Sequence, residues 1–446
     1  MLNAIWVAMI VGAIVCGALT GSLDAVAKAS TDSAKAGVEL AIGVVGVMAF
    51  WLGLMRVLHK GGLLTAMAKV MRPVMTRLFP EVPPDHPAMS MMILNMVSNM
   101  LGLGNAATPF GLKAMMELNK LNPRKGTATN SMALFLAINT SGLAVLPTGM
   151  IAMRASIGAN APGSIFLTTI LATMMSTVVA IGVAKVLCRL PRYRLEPALP
   201  GGGEVEVVEE SAQAIDTTAA EEEFSQGMQE ATSRERWTGR LLVVGVVLAF
   251  GLALQRRAAE VVEGELLGWG GALRSAVTDW PLAILIVGFV LFGVCRGVKV
   301  YDAVVEGGKE GFDVAIKIIP YLVAILVAVG MLRASGAIDM LVDILEPLTT
   351  MIGMPAETLP MAFLRSLSGS GAFGVSAELM NTHGPDSVIG NIVSTMQGST
   401  ETTFYVLALY FGAVQVRNGR HTLWACLAAD AMGVLASVWF CRWLLT

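Results

Sequence analysis

The sequence predicts an all-α polytopic membrane protein: two inverted repeats, about nine spanning helices, two re-entrant hairpins and interfacial amphipathic helices. Three observations carry that expectation. Of 446 residues 55% are hydrophobic and only 14% charged, and mean hydropathy is positive, a balance foreign to soluble globular chains. Apolar stretches of roughly 20 residues, the helical length that crosses about 30 Å of hydrocarbon, recur along the chain. The motifs of its first half return in its second.

In order, the spanning candidates fall near 4–20, 38–58, 129–154 and 164–190, then near 238–255, 280–296, 314–333, 386–417 and 421–444. The first begins almost at Met1 with no basic leader, so it is expected to be retained as a helix. Between the two sets, Glu196 to Thr232 is acidic, rich in Gly, Pro and Ala, and free of Lys and Arg. Such a segment buries too little apolar surface to order itself. The expected organisation is a membrane repeat over 1–195, an acidic disordered linker over 196–233 and a second repeat over 234–446. With formal net charge −2 and basic residues in short clusters, nothing suggests a nucleic-acid surface. The five cysteines form no CxxC pair and read as apolar packing.

The two halves correspond in detail. Asp24-Ala25-Val26 and Asp302-Ala303-Val304 each precede a spanning stretch. "GLLTAMAKVMRPV" from Gly62 matches "GAIDMLVDILEPL" from Gly336, with Pro73 and Pro347 at the same distance from the glycine. In the first copy Leu63, Leu64, Met67, Val70, Met71, Val74, Met75 and Leu78 recur at helical spacing opposite Lys69, Arg72 and Arg77, which predicts an interfacial helix. Each copy then has two apolar stretches too short to cross. Gly102-Leu103-Gly104-Asn105 divides the first pair and Ser368-Gly369-Ser370-Gly371 the second. Both read as re-entrant hairpins, allowed within a membrane only where protein or water satisfies the exposed backbone. As a dinucleotide fingerprint the glycines fail, because no strand precedes them.

If 238–255 crosses, an odd number of crossings separates equivalent points and the second copy is upside down. Its uninterrupted apolar core, Leu241 to Leu254, is short for a crossing, so charge decides. From Arg56 to Ala128 there are nine basic residues, while Arg333 to Ser387 has two against six acidic ones. Equivalent stretches of opposite basic content belong on opposite faces. The N-terminus and the acidic linker are then expected in the cytoplasm.

After its hairpin each copy has a long stretch polar at its middle: Asn139, Thr140 and Ser141 in the first, Gln397, Ser399, Thr400, Glu401, Thr402 and Thr403 in the second. Discontinuous helices meeting near the midplane are the architecture of substrate sites in many secondary transporters. A carboxylate at bilayer centre costs about 3 kcal/mol on insertion scales, so Glu401 should face a cavity or a partner and is the candidate ion-coupling group. The candidate substrate ligands are Asn105, Thr108, Asn139, Thr140, Ser141, Arg365, Ser368, Ser370, Gln397, Ser399, Thr400 and Glu401. Each has a plainer reading: Glu401 as a hydrogen-bonding hub, the amides and hydroxyls as interhelical glue, Asn105, Thr108, Ser368 and Ser370 as turn formers. Arg365 could snorkel, pair with Glu401 or meet an anionic substrate. Asn95 and Asn99 share a helix face, and Asp430 and Glu39 are expected to face the bundle. No metal or cofactor set is apparent.

Here the sequence resembles known families. "NMLGLGNAATPFGLKAMMELNKLNP" and "FLAINTSGLAVLPT" resemble spore maturation protein A; "KVYDAVVEGGKEGFDVAIKIIPYLVAILVAVGMLRASGAIDML" and "MQGSTETTFYVLALYFG" resemble spore maturation protein B. The likeness covers nearly everything except the linker and 238–255, as if the two were fused. Both families carry the nucleoside-recognition or Gate domain, also found in the ferrous-iron transporter B, with a layout similar to concentrative nucleoside transporters. The resemblance implies a transport-type module, associated in spore formers with spore-core dehydration. The expected function is proton- or Na⁺-coupled movement of a small polar solute, nucleoside-like molecules among the candidates, by alternating access in the cell (inner) membrane. The alternative is a non-transporting scaffold or regulator of envelope or spore-core maturation. Enzyme activity is not expected, since no nucleophile, base and orienting-group set, HExxH or phosphate loop occurs. The expected partners are the bilayer and a solute, with a homo-oligomer left open.

Overall fold

The computed structural model describes residues 2–102, 104–194, 233–262, 265–266 and 268–445; the expected linker lies outside the described residues but for Ser233. The first half contains α1 (Leu2–Thr20), α2 (Leu23–Lys60), α3 (Leu63–Leu78), α4 (Pro87–Met100), α5 (Gly104–Lys120), α6 (Asn130–Thr140), α7 (Thr148–Ser156) and α8 (Ile165–Leu187). Helix α9 (Ser233–Ala258) follows the linker. The second half contains α10 (Gly268–Asp279), α11 (Pro281–Cys295), α12 (Val300–Ala334), α13 (Ala337–Met351), α14 (Leu359–Leu367), α15 (Gly369–His383), α16 (Val388–Ser399), α17 (Thr403–Ala413) and α18 (Thr422–Leu444). Among the described residues the one β ladder pairs Val261–Val262 with Glu265–Leu266. The chain is therefore an all-α polytopic membrane protein. Helix α2, residues 162–187, residues 240–258 and α18 are each long and apolar enough to cross a bilayer, which includes the short-cored candidate at 238–255.

Local sequence sets the helix ends. Thr129 and Ser387 accept backbone N–H groups of Met132 and Gly390, capping α6 and α16, the equivalent helices of the two halves. Gly62 and Gly336 begin α3 and α13 from left-handed backbone, φ +78° in both, where a side chain would be strained. Helix α3 buries Leu64 and Met75 and turns Lys69, Arg72 and Arg77 outward, as its pattern predicts, but Val70 and Val74, expected on the apolar face, are exposed.

Packing couples the halves through matching elements. Helices α2 and α12, each carrying its Asp-Ala-Val in the first turn, lie antiparallel: Gly53 meets Val304, Gly37 meets Val323 and Ser33 meets Gly330. A Cβ at Gly311 would come within 2.5 Å of the Ala49 Cα, so absent side chains let the backbones approach. Arg56 and Lys60 of α2 both bind Glu306 of α12, Arg56 at 2.6 Å. Helices α8 and α18 also run antiparallel, with Ala172 against Ala436 and Phe440, and Ser176 donating to the Ala429 carbonyl at 2.8 Å. Helix α1 lies on α12, where the Trp6 indole donates to the Ala324 carbonyl, and α11 lies on α2, with Phe289 edge-on to Trp51.

The loops are tied reciprocally as well. Arg154, at the end of α7 and fully buried, donates to the Pro385 carbonyl and to Asp386 at 2.9 Å in the loop before α16. Beyond α17, Arg420 donates to the Ala128 carbonyl at 3.0 Å, while Arg417 and Asn418 N–H groups reach the Gly126 carbonyl in the loop before α6.

Two expectations are corrected. The span predicted at 38–58 belongs to one helix running from Leu23, because the residues before it pack along α12, Val26 in a cluster with Met331 and Ser33 against Gly330. Glu39 does not face the bundle: it points outward beside Lys35 at 3.7 Å, since one helical face carries Gly37 against Val323 and the 100° step to each next residue turns Glu39 away. Asp430 does face the bundle, 6% exposed.

Candidate functional site

The stretches predicted at 129–154 and 386–417 are both interrupted at their polar middles. Helix α6 stops at Thr140 and the chain is non-helical to Pro147, with Gly142 at φ +79° and Leu143 at φ 25°. Helix α16 stops at Ser399, and Thr400 and Thr402 are extended before α17 begins. The two breaks cross in contact. The Glu401 N–H donates to the Thr140 carbonyl at 2.8 Å. A Cβ on Gly142 would lie 2.9 Å from the Thr400 Cα and 3.0 Å from the Ser399 carbonyl carbon. Only glycine gives both the left-handed turn and the room.

Each hairpin brings its tip to the break of its own half. In the first, the Val145 N–H donates to the Met100 carbonyl at 3.0 Å and Asn99 Nδ2 donates to Asn139 Oδ1 at 3.0 Å. In the second, Arg365 Nη1 donates to Thr402 Oγ1 at 3.2 Å and Gln397 Nε2 to the Gly369 carbonyl at 3.3 Å. Helices α8 and α18 support the breaks from behind. Thr173 donates to the Ser141 carbonyl at 2.9 Å, Thr177 shares a hydrogen bond with Ser141 at 2.8 Å, and Ser437 does so with Ser399 at 3.2 Å.

Among the expected ligands, Asn139, Thr140, Ser141, Ser399 and Thr400 are buried at the crossing. Arg365 is buried at the second tip, 3.8 Å from Glu401, whose side chain is 52% exposed, so Glu401 has the expected partner and an open side. Ser368 caps α15 by accepting the Gly371 N–H at 3.1 Å, as the turn reading required. Thr108 and Ser370 lie half-buried near the starts of α5 and α15; the Asn105 side chain lies outside the described residues. Sequence reasoning missed Thr173, Thr177 and Ser366. The spacing of Thr169, Thr173 and Thr177, one hydroxyl per turn in an apolar helix, was the available signal.

The crossing is not hydrogen-bond saturated. Arg365 Nε, Gln397 Oε1, Thr403 Oγ1 and Asp430 Oδ1 are buried without a full hydrogen bond, where most buried polar atoms have one. The N-termini of α15 and α17, which carry partial positive charge, both approach Arg365 and Thr402. Among the described residues no group of three His, Cys, Asp or Glu side chains could hold a metal. A cavity of about 600 Å³ lies alongside and not over the breaks. It follows the second hairpin from Glu357 and His383 at its base to Leu367 at its tip, with mainly apolar walls and the Arg333–Glu378 ion pair at one end.

Interrupted helices that cross inside a helical bundle, each met by a hairpin tip, define a polytopic membrane protein with a polar centre. The chain belongs to the nucleoside-recognition (Gate) family, which matches residues 41–187 and 315–417, each segment containing one hairpin and one broken helix. It is 48% identical over 157 residues to spore maturation protein B of Bacillus subtilis, 35% of this chain and 88% of that one. It is 42% identical over 181 residues to spore maturation protein A of the same organism, 41% of this chain and 92% of that one. The two relatives cover different parts of the chain, consistent with a fusion. Inner membrane protein YjiG of Escherichia coli is 31% identical over 82 residues, 18% of this chain and 54% of that one. No solved structure matches the chain.

Proposed function

We propose that the protein is a secondary transporter of a small polar solute, coupled to H⁺ or Na⁺ through Glu401, with the two crossed breaks as its binding centre. The observation that carries this reading is the direct contact between the breaks, each with its own hairpin tip. Unwound backbone leaves carbonyl and N–H groups free to hold a solute, and such backbone is tolerated in a membrane only around a cavity or within protein. The halves are read as inverted repeats, supported by the antiparallel pairing of α2 with α12 and α8 with α18 and by the unequal basic content of equivalent stretches. Helices α4–α5 and α14–α15 are then re-entrant hairpins, and alternating access moves them against the remaining helices. The family description makes nucleosides the first solutes to try. On this reading the N-terminus and the linker are cytoplasmic and the protein performs no covalent chemistry.

The experiment is uptake into proteoliposomes from a panel of nucleosides and other small polar solutes, with and without H⁺ and Na⁺ gradients. Gradient-dependent uptake that Glu401→Gln abolishes is expected. Coupled uptake unchanged in Glu401→Gln would remove Glu401 from the assignment, and no uptake of any solute under any gradient would count against transport.

A further inference from the structure

The two halves match in backbone and differ in charge. At the first break the hairpin sends neutral Asn99 to Asn139, and α8 presents Thr173 and Thr177 to Ser141. At the second break the hairpin sends Arg365 to Thr402, the break carries Glu401, and α18 brings Asp430. One half of the crossing is built from neutral hydrogen-bonding groups, the other from a cation between two carboxylates.

Asp430 is the better enclosed of those carboxylates. It is 6% exposed, against a Glu401 side chain 52% exposed. Its Oδ2 accepts from Ser366 Oγ at 2.6 Å, while Oδ1 is buried without a full hydrogen bond, the Thr403 hydroxyl being the further polar group that interacts with this carboxylate. The groups facing it are Arg365 and Ser366 from α14, Glu401 and Thr403 from the second break and α17, and Cys426 one turn earlier on its own helix. Arg365 interacts electrostatically with both carboxylates and has a free Nε. One guanidinium therefore serves two carboxylates and cannot neutralise both. A buried carboxylate left without a full partner is costly in low dielectric and is relieved most simply by taking a proton. A metal cation would meet the adjacent guanidinium as a repelling charge, so a proton is the ion that fits.

We propose that Asp430 is a proton-carrying site of this protein. The proton binds Asp430 Oδ1, leaves Arg365 to Glu401 while bound, and draws Arg365 back toward Asp430 when released. Because Arg365 also holds Thr402, loading and unloading bear directly on the contact between the second hairpin tip and its break. The proposal rests on the transport reading for its purpose but not for its chemistry. In that reading it assigns ion coupling to the second half through two carboxylates and leaves the neutral first half to the solute.

The test is infrared difference spectroscopy of the full-length protein in liposomes, titrated from mildly alkaline to mildly acidic buffer. A protonated-carboxyl C=O band should grow in as pH falls, disappear in Asp430→Asn and persist in Glu401→Gln. Should Asp430→Asn fail to fold, Asp430→Glu keeps the acid and should displace the band in frequency. A wild-type protein without such a band, or a band that neither Asp430 variant alters, overturns the proposal. Uptake measured on the same liposomes keeps the readings apart. An Asp430 band with no gradient-dependent uptake leaves the proton site standing and the transport reading fallen; proton-coupled uptake without the band does the reverse.

Discussion

Gly142→Ala is the perturbation that probes the crossing most economically. An L-residue at φ +79° costs about 1–2 kcal/mol relative to glycine. Its Cβ would also fall 2.9–3.0 Å from Thr400 and Ser399 backbone atoms, which cannot swing aside as a side-chain end can. Overpacking of that kind costs about 1–3 kcal/mol, so the total is about 2–5 kcal/mol. Gly158 supplies the control: its φ is +86° and no atom lies within 4 Å of its would-be Cβ. Gly158→Ala should then show the backbone cost alone, and the restricted unfolded chain is common to both variants. Equilibrium unfolding in mixed SDS micelles measures the two losses. Gly142→Ala losing about 1–3 kcal/mol more than Gly158→Ala is expected from the overpacking range; equal losses would mean that the breaks do not press on one another.

Other consequences follow from the ties between the halves. Asp386→Asn should cost more than Arg154→Met, because it strands a fully buried guanidinium, whereas the reverse change leaves a carboxylate that is 35% exposed; the double variant should recover part of the loss, read by the same unfolding assay. Hydrogen bonds from Lys60 and Arg56 lower the Glu306 carboxyl from 4.5 to about 2. Its depressed value means that its contribution is complete above the unfolded value and lost as pH falls through the folded one. The stability advantage of wild type over Glu306→Gln should thus hold at neutral pH and vanish between about 4.5 and about 2. A double-mutant cycle on Asn99→Ala and Asn139→Ala should give a coupling of about 0.5–1.5 kcal/mol, the worth of one internal hydrogen bond.

Much of this architecture can be read along the chain because membrane insertion leaves few ways to place polarity. A Gly-rich interruption between half-length apolar stretches had to be a turn between two helices, and α4–α5 and α14–α15 are those turns. A run such as Gln397 to Thr403 had to find polar company, and it does. What the chain does not display is which company. Glu401 N–H meets the Thr140 carbonyl from the other half of the chain, and backbone groups carry no sequence signal. Asp430 looked like any bundle-facing carboxylate, since Ser366 and Arg365 reach it from another helix. Glu39 misled because only the partner helix decides which face of α2 is inside. The reciprocal hold of Arg154 and Arg420 on the opposite half was invisible for the same reason.

The account stands on two halves of opposite orientation whose breaks cross. Its most direct test is thiol labelling of Lys69→Cys on α3 and Asp343→Cys on α13, both exposed, with a membrane-impermeant reagent in a cysteine-free background. In sealed right-side-out and inside-out vesicles, Lys69→Cys should label only from the cytoplasmic face and Asp343→Cys only from the opposite one. Labelling of both from the same face would contradict it.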